Sequence, residues 1–508
     1  MKALFNIISY FPFLIVAFYV LMDIYREHPE VKHTTQFKTR RVINWLPLGF
    51  TYAFLYMARY NINACKIALG DLMTKEAFGT IFGLGAIVYA VSFLINGPLT
   101  DKFGGKKAIL VGAIGAAFAN ILMGIFLYGK LALGWGMNLT LAFTLLYALN
   151  MYFQSFGAVA IVKVNASWFH VRERGVFGGI FGILISLGLY FAFDWGTAIV
   201  NATKASVADV NLSWLQSGLR SLLGISGALD QTWWVFIIPA FILIVFAILD
   251  ILIIRDAPSG AGYKNFDTAD ASSGEEDKPF KLGEILRKIL TNKILLTIAF
   301  IEFCTGLLRQ GVMQWYPIFL KDFLNLGSGA FMRANWGLIM MLAGVFGGMI
   351  AGVVSDKVFQ SRRGPVAAWF YALMFVAVGV MIFVVKADQT WLAISAVFMS
   401  FCVIGTHGML SGTSTMDFGG RRAAGTAVGL IDGFVYLGTG FQGLCLGAIT
   451  TKDWGLWPVF MIPFTVIGFL LALRIWKAIP KAAKKVEAVM NPAIEPGAAL
   501  AGGEVPED

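Results

Sequence analysis

The amino-acid sequence predicts an all-α protein that crosses a membrane many times and consists of two similar halves. Hydrophobic residues make up 58% of its 508 residues, charged residues make up 14%, and the mean hydropathy is +0.72. Apolar segments of about 20 residues, the length of a transmembrane helix, alternate with short charged segments. Related motifs also recur at matching places in the two halves. The hydrophobic and charged fractions lie outside the usual range of soluble globular proteins.

The N-terminal segment, 1–42, contains an apolar run from Ala3 to Met22 and then a basic stretch. An interfacial helix and an uncleaved signal sequence are alternatives to an extra membrane span. The run ends in "LMDIYREH" without a small-residue cleavage site, which argues against a signal peptide that is removed. We therefore expect an extra N-terminal helix ahead of the main body.

The main body contains twelve predicted spans, six in each half. The N-terminal bundle, 43–254, and the C-terminal bundle, 294–480, are separated by a polar linker, 255–293, and followed by a tail, 481–508, that is too polar to fold. The predicted spans are 43–66, 78–100, 108–128, 139–163, 176–193, 232–254, 294–320, 335–354, 365–386, 391–414, 424–447 and 455–476.

The net charge of +10 comes from basic clusters that all fall on one side of this twelve-span arrangement. The positive-inside rule assigns that side to the cytoplasm, together with the linker and the C-terminus, so the excess charge is an orientation signal. Nucleic acid is excluded as a partner on this ground, and membrane lipid is expected around the spans. The clusters are 26–41, 101–107, 170–175, 255–293, 356–363, 419–422 and the tail from Arg474.

Two loop motifs repeat between the halves. "GPLTDKFGGKK" (97–107) joins the second and third spans, and "GVVSDKVFQSRRG" (352–364) joins the eighth and ninth. The carboxylates of Asp101 and Asp356 are able to cap a helix N-terminus or to pair with a neighbouring cation. We therefore predict that both aspartates stabilise one state of a cytoplasmic gate.

Two arginines occupy matching places within the first span of each half. Arg59 lies in "FLYMARYNINACK" and Arg309 in "GLLRQGV", residues 306–312. A permanent charge inside a span is costly and usually faces a protein-lined cavity with a function. No acid lies within a helical turn of either arginine, and the planar guanidinium fork fits phosphate oxygens. The pair predicts an anion site, with phosphate as the preferred group.

The loop signature "GPLTDKFGGKK" resembles that of the major facilitator superfamily. "SDKVFQSRRG", "SWFHVRERG" and "RRAAGTAVG" are similar to motifs of its organophosphate:phosphate antiporter family. The resemblance implies two pseudo-symmetric six-helix bundles, exchange of glycerol 3-phosphate or sugar phosphate for inorganic phosphate, and a phosphate held by one arginine from each half, at Arg59 and Arg309. Typical members have Lys and Asp where this chain has Tyr60 and Gln314.

Further candidates for the site come from helical phase. Asn63, Gln310 and Tyr436 are candidates to bind the substrate. Three other residues inside spans, Glu302, His407 and Asp432, are candidates to carry a proton or balance the charge of an arginine. The sequence leaves open which of these roles Asp432 takes.

No enzyme motif is present in the sequence. It contains no phosphate-binding loop for ATP, no nucleophile elbow and no metal-spaced cluster of His or Cys, so neither a cofactor nor a metal is expected. A secondary transporter in the inner (plasma) membrane is the favoured interpretation. A sugar-phosphate sensor with a partner kinase and a proton-coupled transporter of another organic anion are the alternatives.

Overall fold

The computed structural model describes residues 2–26, 31–170, 173–205, 212–225, 229–268, 293–359, 362–413 and 424–477, with isolated positions between 283 and 291. Helices joined by loops form this part of the chain, and the described residues contain no β-strand. The tail and most of the linker lie outside these residues. The α-helices are α1 Lys2–Tyr25, α2 Thr35–Leu69, α3 Lys75–Phe103, α4 Gly105–Ala132, α5 Leu139–Asn165, α6 Arg174–Tyr190, α7 Gly196–Thr203, α8 Trp214–Leu222, α9 Trp234–Ile253, α10 Lys293–Met313, α11 Trp315–Asp322, α12 Phe331–Ala334, α13 Trp336–Lys357, α14 Arg363–Val384, α15 Gln389–His407, α16 Ala424–Lys452 and α17 Leu456–Arg474.

Among the described residues, eleven helical segments are long and apolar enough to cross a membrane. Each of them overlaps one of the twelve predicted spans. The remaining predicted span, 43–66, lies inside the 35-residue helix α2. That helix is less apolar because Asn44, several tyrosines and Arg59 interrupt its apolar sequence. Within α1, the stretch Tyr10–Tyr25 is apolar but shorter than these segments.

The seventh predicted span is divided at Gln314 into α10 and α11. Pro317 lacks the N–H that would bond to the carbonyl of Met313. The indole of Trp336 donates to that carbonyl instead, at 3.0 Å, and the indole of Trp457 donates to the carbonyl of Gly311 at 2.8 Å. Tryptophans from two other helices thus satisfy the backbone groups that the break exposes.

Helix α1 packs on α2 and α6 and is tied to them by a buried ionic cluster. Arg41 of α2 contacts Asp23 of α1 at 2.5 Å and Glu173, at the start of α6, at 3.0 Å. Burial raises the pKa of Glu173, but the hydrogen bonds and charges of His33 and Arg41 outweigh it and lower that pKa to about 2. This cluster holds three helices together at the end of the molecule where α2 begins.

We call that end the linker face, because the carbonyl of Arg255, where the linker starts, accepts a hydrogen bond from Asn44 of α2. The opposite face holds the junctions between α2 and α3 and between α16 and α17. Helices α3 and α16 form the largest contact between the two halves of the chain.

Glycines bring α3 and α16 into backbone contact. A Cβ at Gly79 would lie 2.5 Å from the carbonyl oxygen of Gly443, and a Cβ at Gly83 would lie 2.9 Å from the carbonyl oxygen of Gly440. Such contacts leave no space for a side chain, and close approach through small residues is the usual way for membrane helices to pack. At these glycines the halves meet along a seam of closely packed backbone, with the side chain of Leu444 beside Gly83.

Candidate functional site

The two arginines of the predicted anion site come together at one tyrosine ring. The guanidinium carbon of Arg59, on α2, lies 5.6 Å from the centre of the Tyr436 ring, and that of Arg309, on α10, lies 6.0 Å from it. Tyr436 is carried by α16, and both arginines are buried, with 0% and 4% of their surfaces exposed. One residue from each predicted half thus faces a shared aromatic side chain.

Arg59 is surrounded by neutral hydrogen-bond acceptors. Its Nη1 donates to the hydroxyl of Tyr436 at 2.5 Å, and its Nη2 donates to Tyr89 at 2.8 Å and to the side-chain oxygen of Gln154 at 3.2 Å. The rings of Tyr56 and Tyr89 also lie 4.6 and 4.5 Å from its guanidinium carbon. None of these groups is a carboxylate, so direct contact leaves the charge of Arg59 unneutralised.

Tyr89 and Gln154 are residues that the sequence analysis did not identify. Both lie on other helices of the first half, α3 and α5. Gln154 is a polar residue in the middle of an apolar span, and Tyr89 is an aromatic residue in another span. Neither property indicates which residue the side chain contacts.

Arg309 has a different environment. Its Nε and Nη2 atoms are buried and have no hydrogen-bond partner among the described residues. Leaving a buried donor unsatisfied costs about 1–3 kcal/mol, and more for a charged group. The described salt bridges include none from Arg309 to Glu302 or to Asp432. Arg309 thus presents two donors that an anion is able to satisfy.

A chain of neutral polar side chains connects the two arginine-bearing helices. The hydroxyl of Tyr60 lies 3.5 Å from that of Tyr436 and accepts from Gln310 at 2.7 Å. Gln314 donates to Gln310 at 3.2 Å and accepts from Asn63 at 3.0 Å. The two positions that depart from the family pattern, Tyr60 and Gln314, therefore belong to one uncharged network with the predicted residues Asn63 and Gln310.

Of the three candidate charge partners, two contact each other and the third contacts a serine. Nδ1 of His407 lies 2.8 Å from one carboxylate oxygen of Glu302, whose other oxygen is buried and has no partner among the described residues. Asp432 accepts a hydrogen bond from Ser411 at 2.5 Å. Ser411 belongs to a π-helical turn, Gly408–Thr413, that continues α15.

At the linker face, Asp101 of α3 joins the halves. Its carboxylate lies 2.8 Å from Lys163 and accepts hydrogen bonds from both the backbone N–H and the hydroxyl of Thr426, each at 3.0 Å. Thr426 is in the first turn of α16, where a carboxylate is favoured by the helix dipole. Asp356 lies near the end of α13, and its side chain is outside the described residues.

At the opposite face, Asp194 and Lys66 make contacts that the sequence analysis did not predict. Asp194, in the π-helical turn Phe191–Trp195, accepts from the backbone N–H groups of Gly337 and Leu338 at 2.6 and 2.9 Å. These are the first residues after Trp336 in α13. Lys66 also contacts Asp322 at 3.1 Å. Helices from the two halves are thus connected at both faces.

Comparison with known proteins identifies the family. A family model described as Major Facilitator Superfamily matches residues 48–443. The chain belongs to the major facilitator superfamily. The predicted all-α facilitator fold is confirmed, and the chain is a multi-pass membrane transport protein and not an enzyme.

Curated members of the superfamily with related sequences match most of the chain. The glycerol-3-phosphate transporter of Bacillus subtilis (strain 168) is 25% identical over 475 residues, 90% of this chain and 98% of that protein. The hexose-6-phosphate:phosphate antiporter of Escherichia coli (strain K12) is 25% identical, over 82% of this chain and 84% of that protein. The membrane sensor protein UhpC of the same organism is 24% identical, over 87% and 93%.

The solved structure of another transporter has a similar fold. A bacterial homolog to the human lysosomal transporter Spinster, in an inward-facing and unoccupied conformation, superposes with a TM-score of 0.64 at 14% sequence identity. That alignment covers 86% of this chain and 97% of the other.

Proposed function

We propose that this facilitator transports phosphorylated metabolites, such as glycerol 3-phosphate or a sugar phosphate, in exchange for inorganic phosphate. The observation that carries the proposal is the pair of unpartnered donors on buried Arg309, next to the ring that Arg59 also faces. The names of the relatives support the same class of substrate.

In the proposed site the phosphate group lies between the two guanidinium groups. Arg309 offers Nε and Nη2, the two donors of one edge of the fork, which match two phosphate oxygens. Arg59 reaches the same phosphate by exchanging its bond to the Tyr436 hydroxyl for one to phosphate, and that hydroxyl then becomes a donor to the ligand. Gln310 and Asn63 offer amides to the hydroxyl groups of the organic part.

Exchange follows from the different needs of the loaded and unloaded forms. Without an anion, Arg309 keeps two unsatisfied donors, which carry a free-energy penalty. Any movement that takes Arg309 further from water increases this penalty. A bound phosphate satisfies them and lets the halves reorient. Inorganic phosphate and a phosphate ester present the same group, so either one is able to support the return step.

The contacts at the two faces supply the gates of the proposed transport cycle. The contact between Asp101 and Thr426 joins the halves at the linker face. The contact between Asp194, in the first half, and α13, in the second, joins them at the opposite face. In the proposed cycle these contacts break alternately as the halves rock. The orientation in the cell, with the linker face in the cytoplasm of a plasma (inner) membrane, is part of the proposal.

The test is exchange in liposomes that contain the purified protein and unlabelled inorganic phosphate. Labelled phosphate outside is expected to enter by saturable exchange. This exchange should be inhibited by glycerol 3-phosphate or glucose 6-phosphate, and it should be strongly reduced in Arg309→Lys and Arg59→Lys. Arg220→Lys is the matched control, because Arg220 lies in α8, between spans, and donates hydrogen bonds to the backbone carbonyls of Ala202 and Lys204. Equal exchange in all three variants contradicts the site.

The sensor is the second candidate, because UhpC aligns with nearly the whole chain. A sensor binds a sugar phosphate in the same site and signals through a partner kinase without net exchange. Binding of glucose 6-phosphate by the wild type, with no exchange in the loaded liposomes, would assign this function.

A further inference from the structure

The buried charges around the two arginines include two acids in the second half. Glu302, on α10, is 0% exposed and Asp432, on α16, is 8% exposed. With Arg59 and Arg309 they make two positive and two negative formal charges among the described residues of the site. A bound phosphate dianion leaves this set with excess negative charge, which is unfavourable in a low-dielectric interior. Uptake of protons restores the balance.

Glu302 and His407 have the geometry of a proton-binding pair. One carboxylate oxygen of Glu302 is 2.8 Å from Nδ1 of His407, and the other is buried and has no partner within the described part of the chain. Asp432 is different because its carboxylate is already held by the hydroxyl of Ser411. The pair thus has a free basic atom and a second titratable group to share a proton with.

The groups that face this pair come from three helices. Arg309 and Cys304 share α10 with Glu302, and Tyr371 of α14 and Asp432 of α16 are in electrostatic range. His407 itself also faces Arg309. The nearest permanent charge is therefore Arg309, which repels a proton. Once a phosphate covers Arg309, that repulsion is screened and the pair binds a proton more readily.

We propose that the Glu302–His407 pair is a proton site that takes up a proton when a phosphate-bearing anion binds to Arg309. The proton comes from water on the side where the substrate enters, stays on the pair while the halves reorient, and returns to water on the other side. No bond of the substrate forms or breaks. The inference rests on the proposed phosphate site and adds a coupled ion to it.

The experiment is calorimetric titration of purified protein with glycerol 3-phosphate in buffers of different ionisation enthalpy. At roughly pH 8 the ester is mostly a dianion, since its second pKa is about 6. The slope of the binding enthalpy against the buffer enthalpy gives the protons taken up. We expect uptake in the wild type and a slope near zero in Glu302→Gln, with glycerol 3-phosphate still bound.

Asp250→Asn is the matched control. Asp250 is another fully buried acid, but it lies on α9 and its carboxylate accepts from Thr51 at 2.7 Å. This variant should keep the wild-type slope. If Glu302→Gln does not elute as a folded protein, the same titration of His407→Gln tests the pair instead. Binding with an unchanged slope in the pair variants overturns the proton site, whereas absence of binding in the wild type contradicts the phosphate site itself.

Discussion

Arg59 and Arg309 occupy matching places in the two halves, but their surroundings are opposite. Three neutral side chains accept hydrogen bonds from Arg59, one of them from the other half of the chain. Arg309 has two nitrogens without any such acceptor in the described residues. The internal repeat therefore fixes where the arginines lie without making them equivalent. In the proposed site, Arg59 contributes to packing as well as to ligand binding, while Arg309 contributes to ligand binding alone.

A third buried arginine shows how a structural arginine differs from these two. Arg41 is only 2% exposed, yet two carboxylates, those of Asp23 and Glu173, contact it directly. A buried charge that serves structure is paired in this way, because an unpaired one is strongly destabilising. Among the described residues, no carboxylate contacts Arg59 or Arg309, and this difference from Arg41 supports the proposed binding role.

The largest effect is expected for Arg59→Lys. The single ammonium cannot keep the contacts to Tyr436, Tyr89 and Gln154 together, so both exchange and stability should suffer. We expect no detectable phosphate exchange and a loss of about 2–4 kcal/mol in the free energy of unfolding. Thermal denaturation in detergent, followed together with liposome exchange, measures both. A variant that loses exchange at wild-type stability would show that Arg59 has no packing role.

Arg309→Lys should affect function with little effect on stability. Lysine keeps the charge but not the two-pronged donor edge, so we expect the exchange rate at low substrate to fall on the order of 100-fold. The melting temperature should stay at the wild-type value, since no partner among the described residues loses a bond to Nε or Nη2. A clear drop in melting temperature would mean that both arginines are structural.

Tyr436→Phe tests the residue between the arginines. The ring remains, but Arg59 loses an acceptor and the proposed ligand loses a donor. One hydrogen bond to a charged group is worth about 1.5 kcal/mol, so we expect roughly a tenfold decrease in exchange. Tyr263→Phe, at the linker face, is the matched control. Equal exchange in the two variants would remove Tyr436 from the site.

The smallest effect on transport is expected for Glu173→Gln. The pKa of Glu173 is lowered from 4.5 to about 2 in the folded protein, so its contribution to stability is present above pH 4.5 and is lost as the pH falls towards 2. The variant should lose this part of the acid dependence in thermal denaturation and should keep phosphate exchange at neutral pH. Strong loss of exchange would instead place the α1 cluster in the transport cycle.

The positions of eleven of the twelve spans were predictable from the length of their apolar segments, whereas the first span, in α2, is less apolar. Each of the twelve predicted spans overlaps a helix of the described structure. The break at Gln314 was not predicted, since the groups that stabilise it are indoles from Trp336 and Trp457, which are distant in sequence. The two π-helical turns likewise depend on tertiary contacts, such as that of Asp194 with α13.

The candidate site was predictable only where a charge stood out against an apolar background. Arg59 and Arg309 were found in this way, and Asn63 and Gln310 were found by their closeness in sequence to the arginines. The partners Tyr89 and Gln154 were missed because ordinary tyrosines and glutamines carry no local mark of a long-range contact. The pairing of Glu302 with His407, which are 105 residues apart, also needs the fold.

The glycine seam between α3 and α16 has a consequence for electrical insulation. At Gly79 the nearest atoms of α16 are all backbone atoms, so few side chains there oppose the sliding of one helix along the other. The same close contact leaves no width for a file of water molecules that would conduct protons or ions between the faces. Each elementary charge that crosses a potential of about 100 mV dissipates about 2.3 kcal/mol. A seam that is mobile and dry lets the carrier change shape without discharging the membrane that contains it.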